Sequence, residues 1–255
     1  MKYDSYIPAD PLKPYVSLLA ISESDYAGEY KVLPGTEIVI GFQYKGSLSH
    51  IKDNNKIPLS GSGLTGIHDS FRVFSNKAGT GTVLVYFKEG MAPGIFKQPM
   101  HELFGESLSM DHFMLLTELL ILEEKLHSAI KDSQRIVIVE DFLISKINQH
   151  TPDILVLSAI SIVYKEKGNI RIKEVAEKLH ISQGPLEKRF RHSVGTSPKK
   201  FASIVRLKSA IKNYDAGQSL TAQGYEAGFY DQAHFIKEFK NFTGENPESF
   251  FHKDR

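Results

Sequence analysis

A ten-residue stretch near the C-terminus, Ser182-Gln183-Gly184-Pro185-Leu186-Glu187-Lys188-Arg189-Phe190-Arg191, returns 49 positions later, from 182 to 231, as Asp231-Gln232-Ala233-His234-Phe235-Ile236-Lys237-Glu238-Phe239-Lys240. The correspondence continues, with Gly195-Thr196-Ser197-Pro198 aligning with Gly244-Glu245-Asn246-Pro247 and Phe201 with Phe250. Each copy reads as a capped basic helix, a glycine stop and a fresh start. Two basic helices at a fixed spacing suit two grips on a periodic polyanion, and double-stranded DNA is one.

The first copy is preceded by a short amphipathic run, Ile172 to Leu179, and a turn at His180-Ile181. Ser182 is a suitable N-cap, since its hydroxyl can accept a free backbone N–H of the first turn. Pro185 falls inside that turn, where a missing N–H costs little. Leu186 and Phe190 lie four apart and face inward, which turns Gly184, Glu187, Lys188 and Arg191 outward. The second copy repeats the logic: Leu220 to Ala227 braces, Gly228-Phe229-Tyr230 turns, Asp231 caps, and Phe235 and Phe239 face inward. Pro247 and Phe250 begin a final short helix lying over the second unit. Each copy is a helix-turn-helix pattern, with a bracing helix and a second helix free to enter a major groove. Between them, residues 197–214 contain no interior Gly or Pro beyond Pro198, which suits the first helical position after a Ser197 cap. Phe201, Ile204, Val205, Ala210 and Ile211 give this linker helix apolar faces for both units.

Charge follows the same division. Residues 165–255 carry 17 Lys+Arg against 11 Asp+Glu, whereas residues 1–164 carry 14 against 19, so a net charge of +1 hides a basic C-terminal part and an acidic N-terminal one. Such asymmetry points to nucleic acid as partner of the basic part. The chain has no cysteine, which excludes disulfides, thiolate zinc sites and cysteine nucleophiles. No apolar run reaches the roughly 18 residues of a membrane span, and Met1-Lys2-Tyr3-Asp4 opens no signal-peptide pattern.

Residues 1–110 read as β-rich, with apolar runs at Glu37–Phe42 and Thr82–Phe87 and turn-rich stretches at Lys52–Lys56 and Ser60–Gly63. A small barrel or sandwich is expected, closed by short helical turns at Pro93–Phe96 and His101–Phe104. Gly79-Thr80-Gly81-Thr82 reads as a turn, not a phosphate loop, because no Lys-Ser/Thr follows. From 111 to 164 the period becomes helical: Leu115, Leu119, Leu122 and Leu126 mark one face, Ile136, Val139, Phe142, Leu143 and Ile147 a second, and Leu155, Ala159, Ile162 and Val163 a third. The fold class expected is therefore α+β. Residues 1–110 form a β-rich domain, 111–164 a helical connecting region, and 165–255 an all-α domain of two helix-turn-helix units joined by a linker helix.

Residues 160–251 resemble the AraC/XylS family of bacterial transcription regulators. The stretch Asp231–Lys240 followed by Gly244 and Pro247 carries the resemblance most specifically, with Gly195–Phe201 and Arg206-Leu207 beside it. Residues 1–110 resemble, more weakly, the β-rich sensor-like domain that precedes this module, on Leu33–Glu37 and on Val85–Phe87 leading to Pro93–Phe96. The resemblance implies a non-enzymatic regulator in the bacterial cytoplasm, with double-stranded DNA as partner. It implies RNA polymerase as the contact for activation, a small-molecule effector or homodimer through the N-terminal part, and neither cofactor, metal nor membrane. It assigns base contacts to Glu187 and Lys188 in the first unit and to Gln232, Ala233, His234, Ile236 and Lys237 in the second. Lysine suits guanine, a carboxylate cytosine, glutamine adenine, and apolar side chains the thymine methyl. Arg191, Lys199 and Lys240 fall to phosphates, which position without specifying. At Gly184, where the family often presents a large side chain, this chain has none, which leaves the first unit a base reader short.

Two other readings stay open at this level. The N-terminal part can answer to a protein partner, which a filled core and an exposed apolar patch would favour over a closed apolar pocket. It can also be an enzymatic domain fused to a DNA-binding module. The histidine–carboxylate pairs His68-Asp69 and His101-Glu102 fall short of the four ligands a zinc site needs and read as surface or capping residues.

Overall fold

The computed structural model describes residues 2–149, 151–215 and 217–251. Its N-terminal part is built of β1 (Lys2–Tyr6), β2 (Val16–Ser24), β3 (Gly28–Val32), β4 (Val39–Lys45), β5 (Leu48–Lys52), β6 (Asn55–Pro58), β7 (Ser62–Thr65), β8 (Arg72–Asn76), β9 (Thr80–Phe87) and β10 (Ser107–Ser109). They form two antiparallel sheets, one in the order β1-β2-β9-β4-β7-β10 and the other β3-β8-β5-β6. Neither sheet closes on itself, so of the two expected forms the sandwich is the one adopted.

Two stretches that read as turns are partly strand. Ser62-Gly63 opens β7 and Thr80-Gly81-Thr82 opens β9, which leaves Ser60-Gly61 and Gly79 as the connections. The polar stretch Lys52–Lys56 turns as its composition implies. Asp53 and Asn54 have φ of 50° and 61° and join Lys52 to its partner Asn55 in a two-residue hairpin, the geometry that matches the right-handed twist of the flanking strands.

The six-stranded sheet has two different faces, as the two-residue side-chain period requires. Ile40 and Phe42 of β4, Val83, Val85 and Phe87 of β9, and Leu19 and Ile21 of β2 are buried in the apolar core. Phe42 meets Phe142 edge to face at 6.1 Å, which lays this face against the helices. The alternate residues Val39, Gly41, Gln43, Thr82, Leu84 and Tyr86 face the space towards the second sheet.

The helices are α1 (Leu116–Ser128), α2 (Asp132–Ile144), α3 (Ile154–Lys165), α4 (Ile172–Lys178), α5 (Gln183–Val194), α6 (Pro198–Lys212), α7 (Leu220–Glu226), α8 (Gln232–Thr243) and α9 (Pro247–Phe251). Leu119, Leu122 and Leu126 of α1 and Ile136, Val139 and Leu143 of α2 are buried, as their spacing implies. Leu115 instead precedes the first turn of α1 and is 67% exposed. In α3 the buried stripe is Val156, Ala159, Ile160 and Val163, one position off the expected Leu155 and Ile162, which are half-buried. A contiguous cluster of buried side chains runs from the six-stranded sheet through α1–α3 to Phe239 and Phe242 of the second helix-turn-helix unit.

α3 ends through two consecutive left-handed residues, Lys167 (φ 51°) and Gly168 (φ 77°). A Cβ on Gly168 would lie 2.3 Å from the Ala202 carbonyl oxygen and 2.6 Å from the Arg206 amide of α6, both backbone atoms that cannot yield. Gly168→Ala is therefore expected to lower unfolding stability by about 2–4 kcal/mol, from left-handed strain plus overpacking. Gly184, whose Cβ position meets nothing within 4 Å, provides the contrast. Gly184→Ala is expected to raise stability by about 0.5 kcal/mol through helix propensity. Urea unfolding of both variants measures the difference.

Candidate nucleic-acid interface and inter-sheet cavity

The two expected recognition helices are α5 and α8, and each is oriented by the burial of two large side chains one turn apart. Leu186 and Phe190 are fully buried in α5, and Phe235 and Phe239 almost fully in α8. Phe190 lies against Phe201 of α6 at 5.3 Å, and Phe239 against Phe250 of α9 at 5.4 Å. Both helices stop at a left-handed glycine, Gly195 (φ 98°) and Gly244 (φ 80°), whose amides bond to the carbonyls of Arg191 and Lys240.

With the inner stripe set, the outer residues follow. Lys188 and Arg191 of α5 and Lys199 at the start of α6 are exposed. Gln232, Ala233, His234, Lys237 and Lys240 of α8 are exposed too, whereas Glu187 and Ile236 are half-buried. Glu187 accepts a hydrogen bond from Gln183 Nε2 at 2.8 Å, and Gln232 accepts one from Thr221 Oγ1 of α7 at 2.7 Å. His234 lies edge-on to Phe229 at 5.6 Å between ring centroids. The expected base-contact and phosphate-contact residues thus fall on the outer sides of two similarly built units, on three helices.

Two basic residues on this surface are tied back to the protein. Arg189 makes a two-pronged ion pair with the α3 cap Asp153, through Nε at 2.7 Å and a terminal nitrogen at 3.0 Å. Lys200 pairs with Asp69 at 2.6 Å. Neither tie is legible from local sequence, since the partners are 36 and 131 residues away.

The caps differ between the units. Asp231 accepts the His234 amide at 2.7 Å, and Ser197 accepts the Lys200 amide at 3.2 Å, as expected. Ser182 sits at the N-cap of α5, but its hydroxyl makes no cap hydrogen bond, so here the position is right and the interaction is not. Asp231→Ala is accordingly expected to cost about 1 kcal/mol of stability and Ser182→Ala a few tenths at most, measured by urea unfolding.

The larger surprise lies in the β-rich part. Between the two sheets is a cavity of about 750 Å³, within the size range of small-molecule sites. Its volume comes in part from missing side chains, because Gly41 of β4 and Gly63 of β7 are direct cross-strand partners on the cavity face. The wall is mostly apolar, with Val39, Leu59, Leu84 and Phe74 among its members, and it includes Arg72, His68, His50, Glu37 and Glu106. Arg72 is 7% exposed and donates to Ser107 Oγ at 2.8 Å. His68 is 8% exposed and its Nδ1 has no hydrogen-bond partner among the described residues, which corrects the surface reading of His68-Asp69. Sequence reasoning missed the cavity and its two buried basic side chains, because glycines and histidines carry no sign of which of them will face one another across two sheets.

Burial, together with the nearby Arg72 charge, pushes the His68 pKa down from 6.5 to about 4. A proton that the unfolded chain takes up near pH 6.5 is therefore refused by the folded chain until about pH 4. The contribution of this histidine to stability is full above pH 6.5 and is lost as the pH falls to about 4, amounting to up to about 3 kcal/mol. Comparing urea unfolding at neutral pH and near pH 4.5 is expected to show this loss in the wild type and less of it in His68→Gln.

Comparison with known proteins agrees with the helical geometry. Residues 175–253 match the family described as a helix-turn-helix domain, and residues 4–109 match a domain of unknown function, DUF6597. An uncharacterized HTH-type transcriptional regulator of Haemophilus influenzae is 32% identical over 92 residues, covering 36% of this chain and 31% of the relative. The Msm operon regulatory protein of Streptococcus mutans is 33% identical over 91 residues, covering 35% and 33% respectively. The chain therefore spans about a third of the length of the curated relatives it matches. Among solved structures, ToxT from Vibrio cholerae is 13% identical with a TM-score of 0.47, covering 98% of both chains. An AraC-type DNA-binding-domain regulator from Chromobacterium violaceum is 22% identical with a TM-score of 0.34, covering 37% of this chain and 87% of that one.

Two helix-turn-helix units carried on one linker helix define a DNA-binding module of the kind transcription regulators use. Through this module the chain is similar to HTH-type transcription regulators, in keeping with the resemblance of residues 160–251 to the AraC/XylS family. Among the described residues no helix is long and apolar enough to cross a membrane.

Proposed function

We propose that this protein is a cytoplasmic transcription regulator. In this reading α5 and α8 enter successive major grooves on one face of DNA, and a small molecule in the inter-sheet cavity alters how well they do so. The observation that carries the reading is the pair of similarly anchored helices, each burying one apolar stripe and exposing basic and polar residues opposite. The base-reading set is Glu187 and Lys188 in α5, and Gln232, Ala233, His234, Ile236 and Lys237 in α8. Arg191, Lys199 and Lys240 hold phosphates.

The linker sets the spacing. The fifteen residues of α6 span about 22 Å at roughly 1.5 Å per residue, against about 34 Å between successive major grooves. The docked units must supply the remainder, or the DNA must bend, at a cost on the order of 1–6 kcal/mol. The cavity favours a small molecule over a protein partner as effector, since a partner-responsive domain needs no such space between its sheets. Leu116 and Leu120 of α1 and Val137 of α2 are each more than half exposed, and this face suits a homodimer contact. Contact with RNA polymerase is the activating output assigned to the family.

The test starts from duplexes selected by the wild-type protein out of a random library, followed by a nuclease footprint. Wild type is expected to protect about two helical turns per monomer, roughly 20 base pairs. Lys188→Ala/Lys237→Ala is expected to weaken the selected duplex by about 1–3 kcal/mol per base contact while leaving random DNA less affected. Lys240→Ala is expected to weaken both alike and to lower the salt slope by about 1. Equal losses on all sequences for the double variant would reduce these lysines to general electrostatics.

A further inference from the structure

The two helix-turn-helix units touch each other directly, and not only through α6. Helix α3, which packs against α5 in the first unit, ends at the left-handed pair Lys167 and Gly168. The next residue, the exposed Asn169, lays its side-chain amide against Gly228 in the turn of the second unit. The approach is close: a Cβ on Gly228 would sit 2.3 Å from Asn169 Oδ1. Arg206 of α6 reaches the same turn. Its guanidinium lies 4.3 Å from the centre of the Phe229 ring, and its Nη1 donates to the Gly228 carbonyl at 3.4 Å. Asn169 and Arg206 thus close together on the dipeptide Gly228-Phe229 and form a clasp between the units.

Phe229 passes this hold on to α8. It is 3% exposed, and its ring lies against Phe235 of the buried stripe at 5.1 Å and against His234, an expected base contact, at 5.6 Å. One turn before Arg206, Ser203 donates to Glu238 of α8 at 3.4 Å, and Glu238 is the carboxylate whose charge favours that of Arg206. The Arg206 Nε is buried and has no hydrogen-bond partner among the described residues. A half-buried guanidinium so thinly partnered is a costly way to fill space, and an apolar side chain would avoid the cost. What the arginine adds is direction, since a planar cation on a ring fixes how the turn is oriented as well as how near it lies. The covalent link alone does not do this, because α6 ends at Lys212 and α7 begins only at Leu220. The β-rich part meets each unit at its glycine stop, where a Cβ would lie 2.9 Å from the Met100 carbonyl oxygen at Gly195 and 2.7 Å from the Phe71 ring at Gly244. Those contacts hold each unit to a third body, whereas the clasp holds the second unit to the first and to the linker.

We propose that Arg206 and Asn169 are positioning residues for DNA recognition, fixing the second unit against the first so that the protein accepts one spacing between its two half-sites. The proposal rests on the two-groove reading above and adds what sets the distance between the two readers. One base pair more or less moves a half-site by about 3.4 Å along the DNA axis and turns it by about 35°. Units clasped together cannot follow both changes, and a loosely held second unit can.

The test uses the full chain and the duplex selected by wild type. Its two half-sites, located by scrambling each in turn, are moved apart or together by single base pairs, and affinity is read by anisotropy. Wild type is expected to lose about tenfold or more for one base pair in either direction, as base contacts in one half-site fall out of register. Arg206→Met/Asn169→Ala should lose only a small part of that, and should bind a duplex with one intact half-site as wild type does. Arg206→Lys, which keeps the charge but not the planar fork, should give an intermediate profile. Should the double variant fail to fold, Asn169→Ala alone, a change at an exposed residue, is expected to flatten the profile in part. A second readout needs no DNA. The chain lacks cysteine, so spin labels on Lys188→Cys and Lys237→Cys report the separation of α5 and α8. Double electron–electron resonance is expected to show one narrow distance distribution, broadened by Arg206→Met/Asn169→Ala. Phe71→Ala, which loosens only the hold of the β-rich part on the second unit, should leave both readouts as in wild type. An equal loss at every spacing, or a distribution that stays narrow in the double variant, overturns the clasp and leaves the two-groove reading standing. A flat profile in Phe71→Ala beside a sharp one in the double variant assigns the spacing to the β-rich part and overturns it too. A wild-type profile indifferent to spacing sinks the two-groove reading and the proposal with it.

Discussion

The arrangement of the DNA-binding module depends on one repeated interaction, the burial of two large apolar side chains a turn apart on each recognition helix. Burying Leu186 with Phe190, and Phe235 with Phe239, sets the rotation of each helix about its axis. Each such side chain is worth about 1.5–3 kcal/mol, well above what an exposed lysine contributes to the fold. Lys188 and Lys237 face outward because their neighbours cannot. The aromatic contacts of Phe190 with Phe201 and of Phe239 with Phe250 then fix each helix to the element that follows it.

A different constraint governs the β-rich part. The same six-stranded sheet turns a tightly filled face to α1 and α2 and a sparsely filled one to the second sheet. The paired glycines Gly41 and Gly63 leave space where two larger side chains would have met. A sandwich filled on both sides would be simpler to stabilise, so the void and the buried Arg72 in its wall, which among the described residues makes no ion pair, are the features of this part that packing alone does not account for. Segment 68–72 matters because it belongs to that void and to the surface on which the helical module rests.

The two units are similar without being identical, and the difference marks how far sequence reasoning reaches. Their recognition helices start 49 residues apart, at 183 and 232, but their bracing helices start 48 apart, at 172 and 220. The extra residue lies in the second turn. Both turns pass through a left-handed residue, Gly228 in the second unit and His180 in the first, where φ is 53°. The glycine declares its conformation in the sequence, whereas histidine does not. Similarly, the Ser182 position was legible as an N-cap, but the rotation of its hydroxyl was not. The leucine period of α1 was legible, but placing Leu115 in the buried face ignored that the chain enters the helix one residue later.

The sequence by itself determined the repeat, the stripes that become the inner faces of α5 and α8, the glycine stops, the linker helix and the β-rich character of the N-terminal part. All of these rest on neighbours within a few positions, where periodicity and caps are readable. Only the tertiary structure decided that the sheets stay open as a sandwich, that a cavity lies between them, and that Arg72 and His68 are buried in its wall. It also decided that Asp69 holds Lys200 across 131 residues. Those outcomes depend on which faces of distant strands meet. A strand's alternation says that one face is buried but not what lies opposite, so the site's chemistry emerges only when the two sheets and the helical module are assembled.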